Sequence, residues 1–263
     1  MDTLHIFGFI GALLVGFVLG LIGGGGSILT VPILVYLLGF NPIIATAYSL
    51  FIVGSSSLVG TFQKHKKKLV DFKIGLIFSF PSFVAVYLTR RYLVPGLPDT
   101  FFQWNDFTLT KEVAIMLFFA IIMLLSSISM IRKKKEVEGP HKNQPYHLTF
   151  IQGLIIGTIT GLIGAGGGFL YVPALVLWAN LPMKKAVGTS LVIITLNSLI
   201  GFTGDIQNIA IGWTFLLTFS GLTIIGIILG GYASKYVSNQ SLKRGFGYFT
   251  LIMACYIMYM ELT

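Results

Sequence analysis

The sequence contains few charged residues, half as many acidic as basic ones, and a single cysteine. Only 10% of the 263 residues are charged, whereas soluble domains carry about 25%. This composition argues against a soluble protein. Cys255 has no second cysteine to pair with, so an intrachain disulfide framework and a cysteine metal site are excluded. Histidines do not cluster at ligand spacing either, and we expect no metal and no cofactor.

Apolar residues dominate what is present. The chain is 55% hydrophobic with a mean hydropathy of +0.86, which predicts an all-α polytopic membrane protein. Its net charge of +9 does not indicate a nucleic-acid partner, because the basic residues lie between apolar runs, as membrane topology requires. No nucleophile–base pair or phosphate loop is apparent, so we expect a protein that is not an enzyme and whose surroundings are the lipid bilayer.

Ten apolar runs divide the chain into two series of five. They cover residues 4–22, 27–39, 43–62, 72–94, 112–131, 148–163, 169–180, 184–204, 212–233 and 244–262. A crossing helix needs about 20 residues, and the runs at 27–39 and 169–180 are too short. The predicted organisation is a first repeat at 1–131, a basic linker at 132–147 and a second repeat at 148–263. We expect a surface loop at 95–111, with Trp104 at the membrane interface.

The two halves share sequence as well as pattern. Residues 20–64 align without gaps with 161–205, an offset of 141, and 18 of these 45 positions are identical. Chance matches of Leu and Ile are common in an apolar chain, whereas shared Gly, Pro and Ser are informative. We infer an internal duplication from the informative matches, which include Gly23/Gly164, Gly26/Gly167, Pro32/Pro173, Ser49/Ser190 and Ser57/Ser198.

Charge predicts how the two repeats insert. The stretch QKHKKKLVDFK at 63–73 has five lysines, while its counterpart at 205–214 has none. Cytoplasmic loops are enriched in Lys and Arg. If 63–73 is cytoplasmic, ten crossings place 15 of the 18 basic residues on that side and leave only Arg90, Arg91 and Lys111 elsewhere. Five crossings per repeat then give an inverted 5+5 repeat in the cytoplasmic membrane, with both termini outside.

Glycine-rich stretches directly precede the two short runs, as GGGG at 23–26 and GAGGG at 164–168. A helix that begins inside the membrane exposes unpaired N–H groups and a partial positive charge. Two such ends facing each other would bind an anion, and no basic residue lies in the middle of a predicted crossing. The alternative is that these glycines only permit close helix packing. The predicted substrate-binding residues are Gly23, Gly25, Gly26, Ser27, Ser49, Ser56, Gly164, Gly166, Gly167, Gly168, Ser190 and Asn197, with Ser57, Thr189 and Ser198 as further donors.

Two aspartates, Asp71 and Asp205, lie near the predicted interfaces, where solvation is the default. Asp205 is also a candidate for coupling transport to a proton. These patterns favour a secondary transporter for a small anion, working by alternating access between the repeats. The alternatives are an anion channel and a membrane scaffold without transport activity.

Paired G-x-x-G-x-G-G segments, each followed by V-P-x-L-V, resemble the TauE/SafE family. The glycines that carry the resemblance are Gly20, Gly23, Gly25 and Gly26, and Gly161, Gly164, Gly166 and Gly167. The two copies differ at Ala165, which stands where the first copy has Gly24. The resemblance implies transport of small, often sulfur-containing anions such as sulfite or an organosulfonate. It leaves the particular anion and the direction of transport open. A coupling proton or ion is a further candidate partner, independent of the resemblance.

Overall fold

The structure, a computed structural model, describes residues 3–24, 26–104, 107–131, 146–164, 166–177, 179 and 181–262. Within these residues the chain forms helices and one β-hairpin. The elements are α1 (Thr3–Ile22), α2 (Gly26–Pro32) with a π-helical turn (Ile33–Leu37), α3 (Pro42–Lys66), α4 (Phe72–Leu88) with a second π-helical turn (Thr89–Leu93), α5 (Val94–Gly96), β1 (Thr100–Trp104), β2 (Phe107–Thr110), α6 (Lys111–Ile131), α7 (Tyr146–Ile163), α8 (Gly168–Leu177), α9 (Met183–Asp205), α10 (Trp213–Ala233) and α11 (Asn239–Leu262). Most of the predicted linker, residues 132–145, lies outside the described residues.

Local sequence explains where the long helices of the first half begin. Asn41 caps α3, its side-chain oxygen accepting a hydrogen bond from the Ile43 N–H at 2.9 Å, and Pro42 occupies the first helical turn. Asp71 caps α4 in the same way, accepting from the Ile74 N–H at 3.0 Å. Both caps satisfy an N–H that has no partner inside the helix. Asp71 is therefore a capping residue.

Helix length and surface composition define an integral membrane protein. Among the described residues, five helical stretches are long and apolar enough to cross a membrane. They are Pro42–Lys66, Phe72–Gly96, Lys111–Ile131, Met183–Asp205 and Trp213–Ala233, and shorter apolar stretches occur at Phe7–Ile22, Ile28–Leu37, Phe150–Ile163 and Gly247–Leu262. Large apolar side chains such as Leu125 and Ile252 are more than half exposed on the outer surface, as expected for contact with lipid.

The segment at 95–111 departs from the all-α prediction. It lies on the surface, with Phe101 and Phe102 exposed, but it contains the antiparallel pair β1–β2 rather than an irregular loop. The stretches TFFQW and FTLT are rich in aromatic and β-branched residues, which favour strands. The side chain of Trp104 lies outside the described residues.

The two halves interlock by exchanging equivalent helices. The first helix of each half packs against the fourth helix of the other half, which pairs α1 with α10 and α7 with α4. The third helices, α3 and α9, pack against each other, as do the last helices, α6 and α11. A core that includes Ile28 of α2, Phe119 of α6, Phe169 of α8 and Ile257 of α11 joins both halves.

Two hydrogen bonds between the halves show the same exchange of equivalent positions. The Asp71 N–H donates to Thr189 Oγ1 at 2.9 Å, and the Gly212 N–H donates to Tyr48 Oη at 2.6 Å. Each residue of the second bond stands 141 positions from its counterpart in the first. The sequence offset found over residues 20–64 therefore extends into α4 and α10, as contacts between the halves.

Close helix crossings also occur at positions that are equivalent under the 141-residue offset. Gly16 of α1 lies against the backbone of Thr223, and Gly157 of α7 lies against the backbone of Ser82, so closely that a Cβ on either glycine would overlap it. Gly16 and Gly157 are equivalent under the offset, as are Ser82 and Thr223. Glycine is required at both crossings because the helix backbones touch.

Candidate functional site

The two glycine runs meet, backbone against backbone, where α2 and α8 begin. A Cβ built on Gly24 would overlap the carbonyl group of Gly168, and one built on Gly168 would lie 2.9 Å from the Gly24 carbonyl oxygen. The helices begin at Gly26 and Gly168, within one residue of the starts near Ser27 and Phe169 that the sequence predicts. The structure thus brings together two helix N-terminal ends from different repeats.

Backbone conformation explains why the second run needs glycine. Gly164, Gly166 and Gly167 have φ angles of +68°, +64° and +68°, in the left-handed region that side chains disfavour. These glycines lie between α7 and α8. The Gly167 carbonyl then accepts hydrogen bonds from the N–H groups of Leu170 at 2.9 Å and Tyr171 at 3.1 Å.

Each glycine turn also packs on the start of the third helix of the other half. A Cβ on Gly164 would overlap Thr46 of α3, and a Cβ on Gly23 would lie 2.5 Å from Val187 Cγ1 of α9. Thr46 and Val187 are equivalent under the offset. Packing therefore accounts for part of the glycine requirement, as the alternative interpretation of the sequence proposes.

Among the described residues, buried hydroxyl groups without hydrogen-bond partners lie on α3 and α9. Ser198 Oγ has no partner and would lie 2.8 Å from a Cβ on Gly166. Ser57, its equivalent on α3, is fully buried and also lacks a partner, as does Ser49. Buried polar atoms are almost always hydrogen-bonded, so these hydroxyls are available to a ligand.

Other predicted site residues make internal hydrogen bonds. Ser190 Oγ donates to the carbonyl oxygens of Val187 at 2.9 Å and Gly23 at 3.3 Å, which ties α9 to the first glycine turn. Ser56 Oγ donates to the Ile52 carbonyl of its own helix. Gly25 and the side chain of Ser27 lie outside the described residues. A Cβ on Gly26 would overlap the Val15 carbonyl, so Gly26 is a packing residue of the α1–α2 contact.

Asn197 belongs to a buried polar cluster that sequence reasoning missed. Its amide nitrogen donates to Tyr171 Oη at 2.6 Å and to Ser82 Oγ at 2.8 Å. The Tyr171 and Ser82 hydroxyls lie 2.8 Å apart, and Thr160 Oγ1 lies 3.2 Å from Tyr171 Oη. The cluster joins α4, α7, α8 and α9 directly beside the second glycine run, because Thr160 and Tyr171 also pack on Gly167. Asn197 Oδ1 has no hydrogen-bond partner among the described residues.

A buried ion pair corrects one expectation from the sequence. Asp205 was expected at a solvated position, but the side chains of Arg90 and Asp205 are 0% and 5% exposed, and Arg90 Nη2 lies 2.7 Å from Asp205 Oδ2. Arg90 Nη1 also donates to Thr46 Oγ1 at 3.1 Å and to the Gly161 carbonyl at 3.4 Å. The pair connects both halves. Gly204 lies against Arg90, with a Cβ position 3.2 Å from Arg90 Cβ.

Interlocked apolar helices and an exposed apolar surface define the class of protein as an integral membrane protein. The chain matches the family described as "Sulfite exporter TauE/SafE" over residues 8–257. The chain therefore belongs to the TauE/SafE family, and the resemblance seen in the glycine motifs is confirmed.

Relatives from several organisms match most of the chain. A "Probable membrane transporter protein" of Xylella fastidiosa is 29% identical over 261 residues, covering 94% of this chain and 92% of the relative. "Probable membrane transporter protein YunE" of Bacillus subtilis is 28% identical and covers 94% of both chains. "Probable membrane transporter protein MJ0441" of Methanocaldococcus jannaschii is 26% identical, covering 81% of this chain and 78% of the relative. No solved structure matches the chain significantly. The family and these relatives are described as transporters, not as enzymes.

Proposed function

We propose that this transporter carries a small sulfur-containing oxyanion, such as sulfite or an organosulfonate, and that the anion binds where the glycine runs meet. The observation that carries the proposal is the unpartnered, fully buried hydroxyl of Ser198 beside the Gly164–Gly167 turn. The sulfur chemistry comes from the description of the family, "Sulfite exporter TauE/SafE".

The proposed site holds an anion without a basic side chain. The N-terminus of α8 has N–H groups without intrahelical partners, and a helix N-terminus stabilises a nearby negative charge by up to about 2 kcal/mol in partly buried geometries. Hydroxyl donors from Ser57 and Ser198 would add hydrogen bonds to a charged group, each worth roughly 1.5–3 kcal/mol. Backbone dipoles and hydroxyls bind a desolvated anion reversibly, as transport requires.

The proposed topology is ten crossings in an inverted 5+5 repeat in the cytoplasmic membrane. It comprises a first repeat at 1–131, a cytoplasmic linker at 132–147 and a second repeat at 148–263. The exchanged contacts between the halves support a two-fold relation. An odd number of crossings per repeat makes the two copies enter from opposite sides. Because the proposed site lies between the repeats, a rocking motion of one repeat against the other would open it to each side in turn.

Purified protein in liposomes tests the proposal. We expect saturable uptake of radiolabelled sulfite, competed by thiosulfate or taurine, and a higher melting temperature in their presence, because a ligand that binds only the folded state stabilises it. Imposed proton or sodium gradients test for a coupling ion. Large unitary currents in planar bilayers would instead indicate an anion channel. Absence of both flux and thermal stabilisation would favour a scaffold.

A further inference from the structure

The contact between the halves has two ends that are equivalent under the 141-residue offset, and their charged residues differ. At the first end, Arg90 is paired with Asp205. Under the 141-residue offset, Arg90 corresponds to Gly231 and Asp205 corresponds to Lys64. The second end therefore lacks the arginine and has an ammonium group where the first end has a carboxylate.

Lys64 is buried without an acidic partner. It is 4% exposed, and its Nζ donates to Ser234 Oγ at 3.2 Å. The charged groups that act on it are Lys67 and Lys184, both positive. Among the described residues, the ion pairs are Arg90–Asp205 and Lys111–Asp99, so Lys64 has no carboxylate counter-charge. Lysine is almost never fully buried unless it is paired.

Lys67 joins the same hydrogen-bond network. Its Nζ donates to the Gly231 carbonyl oxygen at 3.0 Å, and the Ser234 hydroxyl that accepts from Lys64 donates to that same carbonyl at 2.9 Å. Partial burial, and then repulsion from Lys235, lowers the pKa of the Lys67 ammonium. The Lys67 ammonium group thus binds this carbonyl of α10 directly, and the Lys64 ammonium group is linked to it through the Ser234 hydroxyl.

The helix ends offset only part of this positive charge. The C-terminal ends of α3 and α10 each carry roughly half a negative charge, which together offset one ammonium group. Lys64 and Lys67 carry two. Positive charge therefore remains beside these helix ends, and a bound anion would neutralise it.

We infer that Lys64 and Lys67 bind the transported anion at this second end of the contact between the halves, as a second site separate from the glycine runs. This inference rests on the proposed function. Lys64 stands seven residues after Ser57 on α3, which places both on one face of the helix about 10 Å apart at ~1.5 Å per residue.

Substitution of Lys64→Gln tests the inference, with Lys66→Gln as the matched control. Lys66 is an exposed lysine on the same helix end, so both variants lose one positive charge. Loss of a charge-assisted hydrogen bond should raise the KM for sulfite about tenfold in Lys64→Gln while kcat stays near wild type. Lys67→Gln should also raise the KM for sulfite. Lys64→Arg should keep this KM within about threefold of wild type because it keeps the charge. Lys66→Gln should leave the KM unchanged.

Thermal stability separates this inference from its rival, in which the lysines only cap the helix ends. Under the rival, Lys64→Gln would lower the melting temperature without sulfite and leave KM unchanged, and that result would overturn the inference. Equal increases of KM in Lys64→Gln and Lys66→Gln would also overturn it, because they would reflect general surface charge. If the wild-type protein neither transports nor binds any of the sulfur anions, the proposed function fails first and the second site fails with it.

Discussion

Arg90 and Asp205 form a fully buried ion pair across the interface between the two halves, with Nη2 and Oδ2 2.7 Å apart. Arg90 stands at the end of α4, and Asp205 is the last residue of α9. Arg90 Nε donates to the same carboxylate oxygen at 2.7 Å, and Arg90 Nη1 donates to Thr46 Oγ1 and to the Gly161 carbonyl. Four helices are therefore held together at this end by one side chain.

Substitution of Asp205→Asn should destabilise the protein strongly. It leaves the Arg90 guanidinium buried without a counter-charge, and breaking a buried pair in this way costs about 3–5 kcal/mol. A large drop in the melting temperature in detergent would report the loss. The double variant Arg90→Met/Asp205→Leu should recover part of it, because apolar replacements leave no unpaired charge. Asp99→Asn is the control, since the Asp99 side chain is 95% exposed in its pair with Lys111. Wild-type melting of Asp205→Asn would contradict the prediction.

Substitution of Ser198→Ala should weaken sulfite binding without lowering stability. The hydroxyl makes no hydrogen bond to the residues that the structure describes, so its removal should cost the fold little while it removes a donor to the anion. We expect the Kd for sulfite to rise about tenfold, the effect of losing one hydrogen bond to a charged group. Ser57→Ala should behave alike. Ser79→Ala is the control, because Ser79 Oγ already donates to the Gly75 carbonyl at 2.7 Å. Unchanged sulfite affinity in all three variants would place the anion elsewhere.

Gly168→Ala should lower stability, because a methyl group at Gly168 would push apart the backbones of the two glycine runs. Overpacking of this kind costs about 1–3 kcal/mol. Gly221→Ala in α10 is the matched control, since a Cβ there meets open space, and alanine is favoured over glycine in a helix by about 1 kcal/mol. Melting temperatures of the two variants should therefore move in opposite directions. The same downward shift in both would mean that contact between the runs is not the cause.

Tyr171→Phe and Ser82→Ala should show energetic coupling in a double-mutant cycle. Their hydroxyls lie 2.8 Å apart, and Asn197 donates to both. Residues in one hydrogen-bond network interact by about 0.5–3 kcal/mol, so the double variant should be less destabilised than the sum of the single ones. Additive changes in the free energy of unfolding would show that the cluster does not act as a unit.

Cysteine labelling tests the inverted topology. In a Cys255→Ser background, Asp99→Cys should react with an impermeant maleimide in intact cells, and Lys66→Cys should react only after permeabilisation. Cys255 must be removed first because it is exposed. Labelling of Lys66→Cys in intact cells would reverse the proposed orientation.

Sequence alone predicts the features that depend on local pattern and on the duplication. The starts of α2 and α8 follow from the glycine runs, and the offset of 141 predicts which contacts recur. The hairpin at 100–110 was not predicted, because TFFQW and FTLT are too short to stand out in an apolar chain. The cluster around Asn197 was also missed, since its members come from four helices and only the packing brings them together.

The sequence contained a signal that could have singled out the buried residues Lys64 and Asp205. Both positions belong to the aligned repeat, and they carry opposite charges. Comparing equivalent positions for charge as well as identity would have selected this pair. The comparison could not have revealed burial, because Lys64 stands in a run that otherwise looks like a solvated loop.

The exchanged contacts have the form of an isologous homodimer, in which residue i of one subunit touches residue j of the other and j touches i. Asp71–Thr189 with Gly212–Tyr48, and Gly16–Thr223 with Gly157–Ser82, are pairs of this kind. Neither half then has a complete interior of its own, because the surface that its first helix must cover belongs to the other half. Coexpressed as separate chains, residues 1–131 and 148–263 should assemble only as a heterodimer, and each half alone should be degraded.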